Sequence, residues 1–203
     1  MKKVIAILVV LSITAFAGQV EINASPIPQE DADWLQYDDG TAKWVIASKY
    51  MGVWFDIQNF VPGETTAQVL QTQVWFYHHP SLPWDTSDVY IELWSGDSTA
   101  PTSQLDQTQV TATHYAPSFV TYTTPISCGQ TFWAITNAAF SSTYWPSSLT
   151  DETLADPQHS LYSQDLIVWE PMTHGDLFIR VQANIPDPGA LGGATWGSLK
   201  AAF

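Results

Sequence analysis

The stretch Gly175–Ile185, GDLFIRVQANI, decides the fold class of this chain. Hydrophobic residues recur at every second position, as they do on an extended strand that has one face in a core. The strand is expected to end at Pro186, because proline removes a backbone donor and interrupts a sheet. The pattern thus predicts a half-buried strand with two faces: Leu177, Ile179, Val181 and Ala183 inward, and Phe178, Arg180, Gln182 and Asn184 outward.

Short strands of the same kind are predicted along the chain between residues 31 and 185. Turn signals recur about every 8–12 residues, and no amphipathic helix of useful length interrupts them. This spacing predicts an all-β fold, a two-sheet antiparallel β-sandwich that is jelly-roll-like. The further predicted strands are Trp34–Gly40, Trp44–Ser48, Gly52–Phe60, Thr65–His78, Val89–Trp94, Gln104–His114, Phe119–Pro125, Thr131–Asn137, Leu161–Tyr162 and Leu166–Trp169.

Residues 1–17 have the pattern of a secretory signal peptide. Lys2 and Lys3 precede an apolar run, and Ala15-Phe16-Ala17 supplies a small-x-small cleavage pattern before Gly18. A membrane anchor is the alternative, but about 12 apolar residues are too few where ~20 are needed to cross a bilayer. We therefore expect a secreted protein, extracellular or at the cell surface, without a transmembrane span in the mature chain.

The rest of the chain divides into three parts. Residues 18–30 are polar and contain prolines, so a flexible lead-in is expected there, followed by the sandwich domain over residues 31–185. Residues 186–203 are predicted to be a linker and C-terminal tail. In that tail Trp196, Leu199 and Phe203 fall on one face of two helical turns. So short a helix is marginal alone, so either it docks on the sandwich or another molecule recognises it.

Charge and cysteine content exclude some function classes. Twenty acidic residues against six basic ones give a net charge of −14, or about −16 if the leader is removed. Such a field repels phosphate backbones, so nucleic-acid binding is not expected. Cys128 is the single cysteine, so the chain has no intramolecular disulfide, and a small buried side chain is favoured over a reactive thiol.

Two groups of residues resemble a recurrent secreted β-sandwich module of bacterial surface and extracellular proteins. The first is Tyr37–Ala42, YDDGTA, and the second runs from Ser160-Leu161-Tyr162 through Trp169 to Gly175–Arg180, GDLFIR. Thr195–Phe203 also resembles short C-terminal TWG-x-L-K endings of such proteins, although the final basic residue is missing. The resemblance implies a fold and an extracellular address, with sorting or attachment as the role of the ending, and it implies no particular reaction.

No group of residues nominates a catalytic site. The five histidines, His78, His79, His114, His159 and His174, lack the spacing of a metal-binding motif, and no G-x-S-x-G motif occurs. Glu92 lies between Tyr90 and Trp94, a conceivable setting for glycoside hydrolysis. A carboxylate on a solvated face is the interpretation we favour, so no catalytic residue is predicted and the protein is expected not to be an enzyme.

Acidic loops are the candidates for a metal ion, in this case a structural calcium. Hard carboxylate oxygens are the ligands that calcium prefers, although Asp-Gly turns need no ion to form. Apart from such a calcium, no cofactor is expected. The candidate ligands are Asp38, Asp39, Asp151, Glu152 and Asp156.

Loop aromatics suggest the most specific functional interpretation. Trp84, Tyr144 and Trp145 lie in polar, proline-containing segments, where exposed rings could stack on sugars or anchor a protein partner. Alternatively they fold back over the sheet ends and cover the core. We therefore expect a secreted, non-catalytic module for binding or scaffolding, with a surface glycan or a protein as its partner. A carbohydrate-binding module is the first alternative, and a small secreted hydrolase the second.

Overall fold

A computed structural model of the chain describes residues 18–30 and 33–186. The predicted signal peptide, residues 1–17, lies outside the described residues. So do residues 187–203, which include the three tail residues Trp196, Leu199 and Phe203.

The described residues form thirteen strands, all paired antiparallel, in two sheets. The first sheet has seven strands, in the order β1-β3-β10-β5-β13-β2, with β8 on the other side of β5. Its strands are β1 (Gly18–Glu21), β2 (Trp34–Leu35), β3 (Trp44–Ala47), β5 (Thr66–Phe76), β8 (Ala116–Gly129), β10 (Ser148–Thr150) and β13 (Ile179–Asn184).

The second sheet has six strands, in the order β12-β11-β4-β9-β6-β7. A short 3₁₀ turn, Ile57–Asn59, follows β4, and Asp56 caps it by accepting a hydrogen bond from the Gln58 N–H. The strands of this sheet are β4 (Tyr50–Asp56), β6 (Asp88–Gly96), β7 (Pro101–Thr111), β9 (Thr131–Asn137), β11 (Ser160–Ser163) and β12 (Trp169–Pro171).

The main core lies between the two sheets, so the predicted two-sheet sandwich is confirmed. Inward residues of the closing strand and of β6 are buried in one hydrophobic cluster, as the period of two predicts. The inward set of β6 is Val89, Ile91 and Leu93, and that of the closing stretch is Leu177, Ile179, Val181 and Ala183.

Residues 18–30, predicted to be a flexible lead-in, pack on the first sheet, and the first four of them form β1. β1 pairs with β3, and the Ile22 N–H donates to the Lys43 carbonyl. Ile22 and Ile27 are buried against Phe178 on the outer face of the first sheet. This apolar cover also explains why Phe178 and Arg180, predicted to face outward, are buried.

The outer face of the second sheet carries its own aromatic layer. Trp94, Trp133 and Trp54 are register partners on three neighbouring strands, and Trp169 packs on Trp133 with ring centroids 4.8 Å apart. A Cβ at Gly52 would lie 3.2 Å from Trp169 Cζ3, so the glycine makes room for that ring.

Glu92 lies in this layer and is 1 % exposed, which contradicts the predicted solvated position. Its carboxylate accepts hydrogen bonds from Trp94 Nε1 at 2.6 Å and from Gln107 Nε2 and Asn137 Nδ2 at 2.7 Å. Three donors offset the loss of hydration that a buried carboxylate suffers. Glu92 therefore ties β6 to the strand on either side of it.

None of the helices among residues 18–30 and 33–186 has the length and hydrophobicity needed to cross a membrane.

Candidate functional site

The three aromatic residues singled out in the sequence lie at one end of the sandwich, on two neighbouring loops. Residues 77–87 connect β5 to β6, and residues 138–147 connect β9 to β10. Between these loops lies a shallow groove of about 190 Å³. No charged side chain of the described residues lines it, and its lining residues are Gly18, Ala47, Ser81, Leu82, Pro83, Thr143, Tyr144 and Trp145.

Asp85 fastens the two loops to each other. Its backbone N–H donates to the Tyr144 carbonyl at 3.0 Å. Its carboxylate accepts hydrogen bonds from the backbone N–H groups of Ser142 at 3.3 Å and Tyr144 at 3.5 Å. Tyr144 is held by its backbone on both sides, while its side chain remains 51 % exposed. The groove therefore presents an aromatic ring on an ordered loop.

Trp84 has a different environment from the other two aromatics. Its indole N–H donates to Ser147 Oγ at 2.9 Å, and its ring packs edge-on against Phe76 with centroids 6.4 Å apart. Ser147 Oγ in turn donates to the Tyr77 carbonyl. Trp84 is thus half-buried against the main core. This position matches the alternative raised in the sequence analysis, that the loop aromatics cover a sheet end instead of contacting a ligand.

The chain matches no protein-family model, no curated protein and no solved structure. The resemblance to the secreted bacterial module therefore stays a prediction, and the roles of residues rest on the geometry of this molecule.

Residues of the two quoted sequence groups meet in a buried polar cluster, which we call the carboxylate clasp: Asp38, Asp151, Ser160, Asp176 and Arg180. Arg180 is fully buried and donates to both oxygens of Asp38, through Nε at 2.9 Å and Nη2 at 2.5 Å. Its Nη1 donates to the Pro28 carbonyl at 2.8 Å. Burial raises the pKa of Asp38, and Arg180 opposes that rise by hydrogen bonding and charge.

The second half of the clasp joins Asp151 and Asp176. Asp151 accepts from the backbone N–H groups of Asp176 at 2.6 Å and Asp39 at 2.8 Å, and Asp176 accepts from Ser160 Oγ at 2.8 Å. A Cβ at Gly175 would lie 2.0 Å from the Asp151 carbonyl oxygen, so only glycine fits beside this contact. Burial raises the pKa of Asp151 to about 7 and also raises that of Asp176.

The clasp includes two of the predicted calcium ligands, Asp38 and Asp151, but their oxygens accept hydrogen bonds from protein groups. The oxygens of Asp38 face a guanidinium, and those of Asp151 accept backbone N–H groups. Glu152 and Asp156 are exposed. In the part of the chain that the structure describes, no three histidine, cysteine or acidic side chains are grouped to hold a metal ion. Calcium binding stays a prediction.

His159 and Cys128 are both buried. His159 stacks on Tyr37 with ring centroids 3.6 Å apart, and its Nδ1 lies 2.8 Å from the Trp54 carbonyl oxygen. Burial lowers the pKa of His159 and raises that of Cys128 to about 12. Both shifts favour the uncharged form, so we expect these two side chains to contribute packing.

Proposed function

We propose that this chain is a secreted, non-catalytic binding module of the bacterial cell surface or extracellular space, and that its ligand occupies the groove at Tyr144 and Trp145. The observation that carries the proposal is a half-exposed aromatic ring on a loop that Asp85 holds in place. Binding sites gain affinity when the contacting groups are ordered before the ligand arrives. A ring held in this way supports a binding role.

A neutral carbohydrate is the ligand class that fits this groove. Aromatic rings present apolar faces on which a sugar ring can stack, and the hydroxyls of Ser81 and Thr143 can form hydrogen bonds at the rim. Among residues 18–30 and 33–186 no charged side chain lines the groove, and the net charge of −14 disfavours an anionic ligand. A volume of about 190 Å³ is below the roughly 300–1,000 Å³ of pockets for drug-sized ligands. We therefore expect one sugar ring to enter.

The environment of Glu92 argues against hydrolysis at that residue. Both of its oxygens accept hydrogen bonds from protein donors, and the side chain is 1 % exposed. A catalytic carboxylate must reach the scissile bond or its water. Glu92 instead connects three strands.

The test is a panel of neutral oligosaccharides screened against the wild-type chain and against Tyr144→Ala and Trp145→Ala. Phe119→Ala is the matched control, because Phe119 is 46 % exposed on β8 and does not line the groove. We expect each groove variant to weaken binding about fivefold or more, as truncation of a contacting aromatic residue does. Melting temperatures confirm that the variants fold. Binding that survives both groove substitutions, or that Phe119→Ala weakens as much, would contradict the proposal.

A further inference from the structure

Within the part of the chain that the structure describes, β7 and β8 each leave one strand edge unpaired, on the side where the chain passes from one to the other. Among the described residues, β7 pairs only with β6 in the second sheet, and β8 pairs only with β5 in the first. Their outer edges therefore present backbone N–H and C=O groups without a strand partner. Such edges are templates for pairing with another extended chain.

The two edges separate to form an open groove of about 440 Å³. A bulge in β8 lies along this groove. Thr121 lies opposite Gln71 and Ile126 lies opposite Val69, so four residues of β8 correspond to the single residue Leu70 of β5. Bulges redirect side chains and end regular pairing. The groove is lined on one side by Asp106, Thr108 and Val110 of β7, and on the other by Val120, Tyr122 and Ile126 of β8.

β7 is the better template of the two edges. β8 contains Pro117 and Pro125, which lack the N–H that a pairing strand needs. β7 has no proline after Pro101, so every residue from Thr102 to Thr111 carries a backbone N–H, and its register with β6 shifts at Thr102 and at Leu105. An extended peptide would therefore add to the second sheet beside β7 and turn alternate side chains toward the groove.

Asp106 determines which strand can pair there. It is part-buried, lines the groove and accepts a hydrogen bond from Thr108 Oγ1 at 3.1 Å. An inward-pointing charge protects an edge against indiscriminate pairing. β7 has no basic residue, so a second copy of this edge would bring another carboxylate and no cation. A strand that supplies a cation therefore pairs more favourably beside Asp106 than one that supplies another carboxylate.

We propose that the outer edge of β7 docks an extended segment of a partner polypeptide that places a lysine or arginine beside Asp106. The segment forms backbone hydrogen bonds with β7, and its alternate side chains fill the groove above Val110 and Tyr122. This site is separate from the aromatic groove at Tyr144, so the two proposals stand or fall independently.

The test uses the full chain and a short blocked peptide of alternating threonine and valine with a lysine at its centre. Amide hydrogen exchange of residues 102–111 is measured with and without peptide. We expect the outward-facing amides of β7 to be slowed by about tenfold or more at saturation. A peptide with glutamate in place of lysine should bind about fivefold more weakly or worse. Asp106→Lys should reverse this preference, which a merely structural role for Asp106 would not do.

Several results would overturn the proposal. Equal binding of both peptides, protection confined to β8, or no protection at millimolar peptide would each contradict it. Slow exchange of β7 in the free chain at every concentration would show that a segment of the same chain already covers the edge. Protection that grows with protein concentration would show that a second copy does.

Discussion

Arg180→Met is the substitution that probes the carboxylate clasp most sharply. It removes the guanidinium that donates to both oxygens of Asp38 and leaves the Pro28 carbonyl without its 2.8 Å donor. Asp38 is 3 % exposed, so water cannot replace the lost partner without local opening. The variant therefore leaves the Asp38 carboxylate buried without its cationic partner.

The expected cost follows from that geometry. Removing one partner of a buried ion pair destabilises a protein by about 3–5 kcal/mol, a large share of a total stability of about 5–15 kcal/mol. For a domain of this size the loss corresponds to a fall in melting temperature of roughly 6–20 °C. Asp38→Leu combined with Arg180→Met should recover part of the loss, because an apolar pair leaves no buried charge.

The loss should also depend on pH. Burial already raises the pKa of Asp38, and Arg180 opposes that rise, so its removal raises the pKa further. A carboxyl group with a raised folded-state pKa contributes stability that is complete below its unfolded pKa and is lost as the pH rises through the folded value. The difference between wild type and variant should thus grow as the pH rises above about 4, the ordinary pKa of an aspartate in an unfolded chain.

The assay is thermal and urea unfolding of wild type, Arg180→Met and the control Lys43→Met. Lys43 pairs with Glu21 at 3.1 Å on the surface, where solvent screens the charges, so no measurable change is expected. Equal melting temperatures for the two variants, or a loss at Arg180 that does not vary with pH, would refute the reasoning.

Three further predictions concern other buried groups. Burial raises the pKa of Asp151 to about 7, so the stabilising contribution of this residue is lost as the pH rises from its unfolded-state pKa of about 4 to that value. Asp151→Asn should therefore flatten the fall in the free energy of unfolding between about pH 4 and pH 7, measured in urea. Gly52→Ala should cost about 1–3 kcal/mol in thermal unfolding, because its Cβ would meet Ile135 at 3.1 Å. Gly129→Ala, which meets nothing within 4 Å, is the control and should melt as wild type does. Burial raises the pKa of Cys128 to about 12, so a thiol reagent should react only on unfolding, and rapid labelling of the native chain would contradict this.

Local periodicity predicted the inner faces of the strands because a core between two sheets imposes a period of two. Val89, Ile91 and Leu93 are buried together as that pattern requires. The same alternation predicted that Glu92 and Arg180 face solvent, but both residues are buried. Each outer face is covered in addition, the first sheet by residues 22–30 and the second by Trp169. These covering segments are irregular, so no sequence period predicts which outward-facing residues they bury.

The carboxylate clasp could not be predicted from the sequence, for a different reason. Asp38 and Arg180 are 142 residues apart, and only the pairing of distant strands brings them together. The sequence marked Asp38 and Asp151 as acids in loops, which is equally typical of an ion site and of a capped turn. The strand prediction likewise ended at Pro125, because proline is typical of a strand end, whereas β8 continues past its bulge to Gly129.

The most direct test of the proposed binding function is a nuclear magnetic resonance titration of the isotope-labelled chain with the tightest neutral oligosaccharide of the panel. We expect the largest chemical-shift changes at Tyr144, Trp145 and Leu82, with the Trp145 indole N–H among them. Changes centred instead on the Trp94–Trp169 face, or a spectrum unchanged at millimolar sugar, would contradict it.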